Sequence, residues 1–559
     1  MKKLTALLIA LTLIISPPVS LSADTADNAK YEKAEKLISQ ISAETDPTDG
    51  SVWNKESPAQ FKWSYINGCM ISALLRLYDV TGNTAYKEQA EQYMSKFVSD
   101  TESKTSGYIA ASFKISSYAL DDLNSGKAMI ELTALDSPST EKYNKVLTKT
   151  LYTDILSEML ATRSTAEGNL WHKNAYPYQV WLDGIYMETP FYLEYEYDIA
   201  KDKESFLNAA NHVTNQIENV YAKLRDPSTG LYYHGYDAQA DKKSGNYSRK
   251  NAMSWAEKDT GHSSSFWLRG TGWYAMALVD DIELMQKAEK RFGIDLTKQR
   301  SSLISIYTDL INSLLSYRDD SGMWYQVIDR PNGDYNYLET SGSCAISYSL
   351  MKGYNIGIAD KTYYDKGFET FTAVYDTKLS LSESNEAVLK DICLTAGLAG
   401  PSSGTTSSSA VIGPKYNKRD GSYNYYVSEK TAENDAKGIA PFLLAYSQIL
   451  LYDLRSPEPI TETTTETTSE STTEMTTETT SESTTEMTTD IQKGDANCDG
   501  NITPADSIQI LTKVLEPNHT MPIERKKEKW MEYVDMDKSK VLSASDAAIV
   551  LQIYQKNKQ

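Results

Sequence analysis

The chain has 559 residues and a formal net charge of -20, from 56 basic and 76 acidic side chains. That balance argues against nucleic acid as a partner, and it requires a local cationic pocket to hold any anionic substrate. Four scattered cysteines, Cys69, Cys344, Cys393 and Cys498, lack the paired spacing of a zinc site or a disulfide framework.

The N-terminus reads as an export signal. Met1, Lys2 and Lys3 are a basic start, residues 4–15 an apolar core, and Ser20, Ser22 and Ala23 the small residues before cleavage. Residues 1–23 are therefore predicted to be a signal peptide, too short for a stable membrane span. With no other long apolar stretch, the mature chain is expected to be secreted, extracellular and without a membrane partner.

Residues 24–455 carry helical periodicity. Predicted helices cover 66–80 and 85–98, 126–135 with 143–161, 185–200 with 206–224, 272–288 with 299–317, 345–357 with 363–372, and 438–453. Gly, Asn or Asp stands at the turns. Roughly six helical hairpins in one domain point to an all-α fold, a closed (α/α)6 six-hairpin barrel with an inner helix ring around a funnel. An open solenoid is the alternative, but the hairpins share no repeat sequence and their loops are long and aromatic. Trp63, Tyr65, Trp171, Tyr176, Trp181 and Trp255 cluster in those loops with His172, His234 and Arg269. Such rings suit sugar faces, although ordinary burial accounts for any single one of them.

Two stretches are more specific. Residues 171–184, WHKNAYPYQVWLDG, and 267–273, WLRGTGW, resemble the unsaturated rhamnogalacturonyl hydrolases (glycoside hydrolase family 105, related to family 88). The segments 120–126, 230–234, 339–343 and 434–438 extend the resemblance from about residue 29 to 454. It implies a six-hairpin α/α-barrel glycosidase that hydrates the C4=C5 bond left by lyases on pectic rhamnogalacturonan I, with no cofactor for catalysis. It also implies Asp183 as acid and base, with Asp121 beside it holding water or a hydroxyl. Asp122 is next to Asp121, so that register has a neighbour to choose from. His172, Lys173, His234 and Arg269 would bind the substrate carboxylate and hydroxyls, Arg269 as the two-pronged clamp. Tyr65, Trp181, Trp267 and Trp273 would stack on sugar. Aromatic and apolar neighbours are expected to raise the Asp183 pKa by desolvation. Locally, Asp183 before an apolar helix also reads as a helix N-cap. Rival functions are an unsaturated glucuronyl hydrolase, a lyase, or a non-catalytic sugar-binding module.

Residues 456–490 are nearly all Thr, Glu, Ser and Met, with the unit 465–476 repeated at once as 477–488. Nothing there can bury an apolar face, so a disordered, extended linker is predicted. Residues 491–559 follow. Asp495, Asn497, Asp499, Asn501 and Asp506, with Gly500 at the sharp turn, form a calcium loop of EF-hand type. Asp535, Asp537, Ser539 and Asp546 form a weaker copy, in which Lys540 replaces the glycine. Two loop–helix units that both close on Asp resemble a type I dockerin. That resemblance implies bound Ca2+, a cohesin module of a scaffoldin as partner, and association with a cellulosome.

Overall fold

The computed structural model describes residues 31–42, 53–56, 61–399 and 418–455, and parts of 493–550. Chain contacts divide it into two compact units, Met1–Ile460 and Thr461–Gln559. The signal sequence, the linker, and the calcium-loop positions Asn497, Asp499, Asn501, Asp506, Asp537, Ser539 and Asp546 lie outside the described residues.

The first unit contains α1 (Glu32–Ser42), α2 (Tyr65–Thr81), α3 (Thr84–Ser95), α4 (Asn124–Ala134), α5 (Thr140–Lys145), α6 (Glu158–Thr162) and α7 (Leu182–Glu194). It continues with α8 (Lys203–Leu224), α9 (Leu268–Phe292), α10 (Thr297–Leu315), α11 (Thr340–Asn355), α12 (Lys361–Thr377), α13 (Tyr423–Ser428) and α14 (Ala436–Arg455). A π-helical run, Val146–Ser157, joins α5 to α6, and a second, Tyr195–Ala200, extends α7.

Burial sorts the long helices into two rings. In α11 every residue of 340–353 is buried, whereas α10 buries only Leu303, Ile306, Tyr307, Leu310, Ile311 and Leu314. The second pattern is the stripe of an amphipathic surface helix; the first belongs to a helix enclosed on all sides. The enclosed helices touch in the order α2, α4, α7, α9, α11, α14 and back to α2. Each contributes to one axial cavity, through Arg76, Lys127, Glu194, Asp280, Lys352 and Leu444. The fold is an all-α (α/α)6 barrel.

Three features depart from the sequence-based expectation. First, α1 carried no prediction, yet it lies against the last helix: Tyr446 Oη donates to Glu35 Oε1 at 2.7 Å, and Tyr31 packs edge-on to Tyr446 at 5.4 Å. The two ends of the barrel sequence therefore meet. Second, four short antiparallel pairs occupy the loops: β1 (Val98–Ser103) with β2 (Gly107–Ile109), β3 (Gln179–Trp181) with β4 (Gly235–Asp237), β5 (Leu379–Leu381) with β6 (Ala387–Leu389), and β7 (Ile392–Cys393) with β8 (Thr431–Ala432). Third, α7, α9 and α11 begin at 182, 268 and 340, ahead of the predicted starts at 185, 272 and 345. Their first turns hold polar residues and glycine, which break apolar periodicity.

The ring is tight because small residues face each other. A Cβ on Gly68 of α2 would lie 2.6 Å from the Ser125 Cα of α4. Ser64 caps α2 by accepting the Ile66 N–H, and Gly82, at φ 67°, ends it.

In the second unit, Ala496, Ile510, Ile523, Val534 and Val550 form a small buried cluster. The Gly494 N–H donates to the Tyr533 carbonyl at 2.8 Å, which joins the residues just before the two predicted calcium loops.

Gly68→Ala forces α2 from α4 and is expected to cost about 1–3 kcal/mol. A lower urea midpoint at unchanged slope would be the readout; an unchanged midpoint would refute so close a contact.

Candidate active site

The inner helices begin at one mouth. Asn124 Nδ2, at the start of α4, donates to the Tyr65 carbonyl at the start of α2 at 2.9 Å. Arg269 Nη1, at the start of α9, donates to Ser341 Oγ at the start of α11 at 3.1 Å. Helix N-termini carry partial positive charge, so this convergence favours an anion.

Asp183 is set at that mouth by the β3–β4 pair. Trp181 sits opposite Gly235, and the Leu182 N–H donates to the His234 carbonyl at 3.0 Å. One residue further along, Asp183 enters the first turn of α7 beside the His234 ring. Asp183 Oδ2 lies 2.9 Å from His234 Nε2, and His234 Nδ1 lies 2.7 Å from Tyr426 Oη. The N-cap position belongs to Trp181, without a side-chain cap bond. Asp183 is therefore not the cap that its local sequence allowed, and its carboxyl is free to face His234.

Protonation follows from this chain of three. Burial pushes the Tyr426 hydroxyl well above its usual pKa, so it stays protonated and donates to Nδ1. His234 then carries a hydrogen on Nε2 and donates it to Asp183. Burial acts to raise the Asp183 pKa, but the electrostatic attraction and hydrogen bond of His234, with His172 adding, outweigh it. The carboxyl ends below its ordinary value. The expected elevation is thereby reversed: the aromatic wall desolvates Asp183, and the imidazole within it more than compensates.

His172 forms the adjacent wall. Its ring stacks on Trp181 at 4.4 Å and 12°, and Tyr176 also stacks on Trp181, at 5.0 Å. Burial pushes the His172 pKa down to about 4, so the ring is neutral. Its Nε2 lies 3.7 Å from Asp121 Oδ2, and Lys173 Nζ lies 3.9 Å from the same oxygen. Asp121 is thus the member of the acidic pair that faces the histidine. Asp122 is pushed up to about 8 by burial and by the charge of Asp121, and is protonated at neutral pH.

The remaining sequence-predicted residues divide. Burial raises the Tyr65 hydroxyl pKa strongly; Arg269 opposes this, while Asp121 and Asp183 add to it, which puts all four within electrostatic reach. Trp267 backs His234 at 4.6 Å and lies parallel to Tyr426 at 5.9 Å. Trp273 is 1% exposed and stacks on Tyr186 at 5.0 Å in the main core, where it packs against protein. Arg269 is also 1% exposed and gives Nη1 to Ser341 and to the Cys393 carbonyl, leaving Nε as a buried donor without an acceptor.

Tyr426 and Glu339 complete the support and carried no sequence-predicted role. The Glu339 carboxylate accepts from the Ser341, Gly342 and Cys393 N–H groups at 3.0, 2.7 and 2.9 Å. Tyr426 lies 192 residues beyond its partner His234, in a short helix with no local signal. Chemically, Asp183 can exchange a proton with a bound atom, while Asp121, His172 and Lys173 can hold a water or hydroxyl.

The chain matches the model of Glycosyl Hydrolase Family 88 over residues 38–452. It is 30% identical over 226 residues to Protein Atu3128 of Agrobacterium fabrum (strain C58), covering 40% of this chain and 83% of that protein. It is 26% identical over 190 residues to the unsaturated rhamnogalacturonyl hydrolase YesR of Bacillus subtilis (strain 168), covering 33% of this chain and 45% of that one. The solved structure of a family 105 glycoside hydrolase from C. acetobutylicum ATCC 824 superposes with a TM-score of 0.59 at 30% identity, over 74% of this chain and 98% of that one. The family match spans the barrel from α1 to α14, and with it the paired Asp183 and His234: the chain belongs to Glycosyl Hydrolase Family 88 and is a glycoside hydrolase.

Proposed function

We propose that this enzyme hydrolyses unsaturated galacturonyl–rhamnose oligosaccharides, the lyase products of rhamnogalacturonan I, by hydrating the C4=C5 bond of the terminal unsaturated uronate. The observation that carries the reading is the Tyr426–His234–Asp183 chain at a mouth built from helix N-termini. Likeness to the protein named as an unsaturated rhamnogalacturonyl hydrolase supports the choice of sugar. Asp183 donates a proton to C4, and the positive charge that develops at C5 is shared with the ring oxygen. Water adds at C5 and gives its proton to the Asp183 carboxylate, restoring the acid. The resulting hemiketal opens and releases the neighbouring sugar. Free Asp183 is ionised at neutral pH, so the proton is taken up as the anionic substrate arrives and water leaves, both of which favour the neutral carboxyl.

We read residues 491–559 as a dockerin that holds Ca2+ through its two loops and joins the secreted enzyme to a cohesin module in a cellulosome. The buried Asp495, which opens the first loop, and the Gly494–Tyr533 hydrogen bond support this reading.

Three outcomes are expected. Incubation with lyase-treated rhamnogalacturonan should abolish the ultraviolet absorbance of the conjugated enoate, and Asp183→Asn should leave it intact. Activity only on lyase-treated glucuronan or glycosaminoglycan would select the glucuronyl alternative, and rising absorbance on untreated polymer would select a lyase. His234→Gln removes the group that lowers the Asp183 pKa, so that pKa should rise. Because protonated Asp183 reacts, the alkaline limb of kcat/KM, which reports the free enzyme, should move to higher pH; a stationary limb would uncouple the two residues. Finally, cohesin binding by the full chain should disappear in excess chelator and return with added Ca2+. Binding that ignores the chelator would remove the calcium assignment.

A further inference from the structure

We propose that Arg419 is the residue that holds the substrate's carboxylate, a role the sequence motifs assign to Arg269; this rests on the hydrolase reading above. Arg419 precedes α13 by a few residues, and its carbonyl accepts the Ala399 N–H at 2.9 Å. That bond draws it alongside Gly397. A Cβ on Gly397 would lie 3.8 Å from Arg419 Nη1 and 3.5 Å from the Trp181 ring. The guanidinium and the indole edge therefore flank one glycine, and Trp181 stands two residues before Asp183. The neighbours that act electrostatically on Arg419 are Tyr425 first, then Glu429, Glu56 and Tyr176.

Among the described residues, Arg419 donates no hydrogen bond to an acceptor. Its Nε is buried without a hydrogen-bond partner, and it forms no salt bridge among the described residues. The other cations at this mouth lie beside carboxylates: Lys173 Nζ is 3.9 Å from Asp121, and Lys437 Nζ, which makes no hydrogen bond, is 3.0 Å from Asp435. Arg269 also keeps a buried Nε without an acceptor, but it spends Nη1 on Ser341 and the Cys393 carbonyl, which ties the starts of α9 and α11 to β7. A buried guanidinium donor without an acceptor pays its desolvation with nothing in return, an arrangement that native proteins keep where a ligand supplies the missing oxygen. An unsaturated uronate carries its carboxylate on C5, beside the C4 that Asp183 must protonate. Two parallel N–H donors from Arg419 would fix that carboxylate, and with it the ring, against the Trp181 wall.

The test compares an unsaturated uronyl disaccharide with its neutral methyl ester, using wild type, Arg419→Gln, Arg419→Lys and Arg269→Gln. Wild type should favour the acid over the ester by about tenfold or more in kcat/KM, the scale of a charge-assisted bidentate pair. Arg419→Gln should bring that ratio near one. Arg419→Lys, which keeps the charge and loses the fork, should fall between and serves if the glutamine variant does not fold. The proposal is overturned if Arg419→Gln slows acid and ester equally, or if only Arg269→Gln abolishes the preference. Failure of the hydrolase reading looks different: wild type turns over neither compound, and both conclusions fall.

Discussion

The structure depends on one constraint: six inner helices must close into a ring while all starting at the same end. Closure requires helices to approach until backbone meets backbone, as Gly68 of α2 does against Ser125 of α4. A common direction brings six N-termini to one mouth, where orphan N–H groups and aligned peptide dipoles favour negative charge. The site chemistry is built on that polarity. Asp183, Arg269, Ser341 and Lys437 all stand in first turns of inner helices, where side chains point into the mouth without interrupting the packing below.

The same closure leaves an axis that side chains must fill. In the middle and C-terminal turns it is filled with charge. Arg76 pairs with Glu131 at 2.6 Å, and Lys352 with Asp280 and Glu283 at 2.8 and 2.7 Å. Burial, with the neighbouring Glu131 adding, pushes Glu194 up to about 8, and Glu283 is held far below its usual value because the attraction of Lys352 and Lys287 outweighs burial. Replacing such pairs by apolar groups is often neutral or favourable to stability, so the network is weak evidence for stability. The axial cavity it lines accounts for why a polar shaft persists inside an otherwise apolar ring.

At the mouth, a carboxyl group is held by opposing forces. Aromatic walls from Trp181, Trp267 and Tyr426 desolvate Asp183, while His234, locked in one tautomer by Tyr426, stabilises its charge. Such a balance is sensitive: a ligand that brings another negative charge and expels water tips it toward the protonated acid. Asp121 and His172 show the same logic, since burial keeps the imidazole neutral beside a carboxylate that a charged ring would otherwise pair with.

Much was legible in the chain itself. Apolar spacing identified the barrel helices after α1, because each buries a continuous stripe or a whole surface and periodicity records burial. Motif residues 171–184 and 267–273 marked the segments that meet at the mouth. α1 carried a local signal that went unread, since its buried Ala34, Leu37, Ile38 and Ile41 fall at helical spacing; only its place against α14, shown by the Glu35–Tyr446 hydrogen bond, needed the tertiary structure. The helix starts escaped because their first turns hold the polar and glycine residues of the site. The sequence by itself determined which segments are helical and which carboxyl and imidazole groups were available. Only the tertiary structure decided that Asp183 faces His234, that Tyr426 selects the tautomer, that Trp273 packs in the core, and that the Asp183 pKa falls. Those outcomes depend on distances between side chains far apart in the chain, and a pKa is set by whatever charge and solvent happen to lie within a few ångströms.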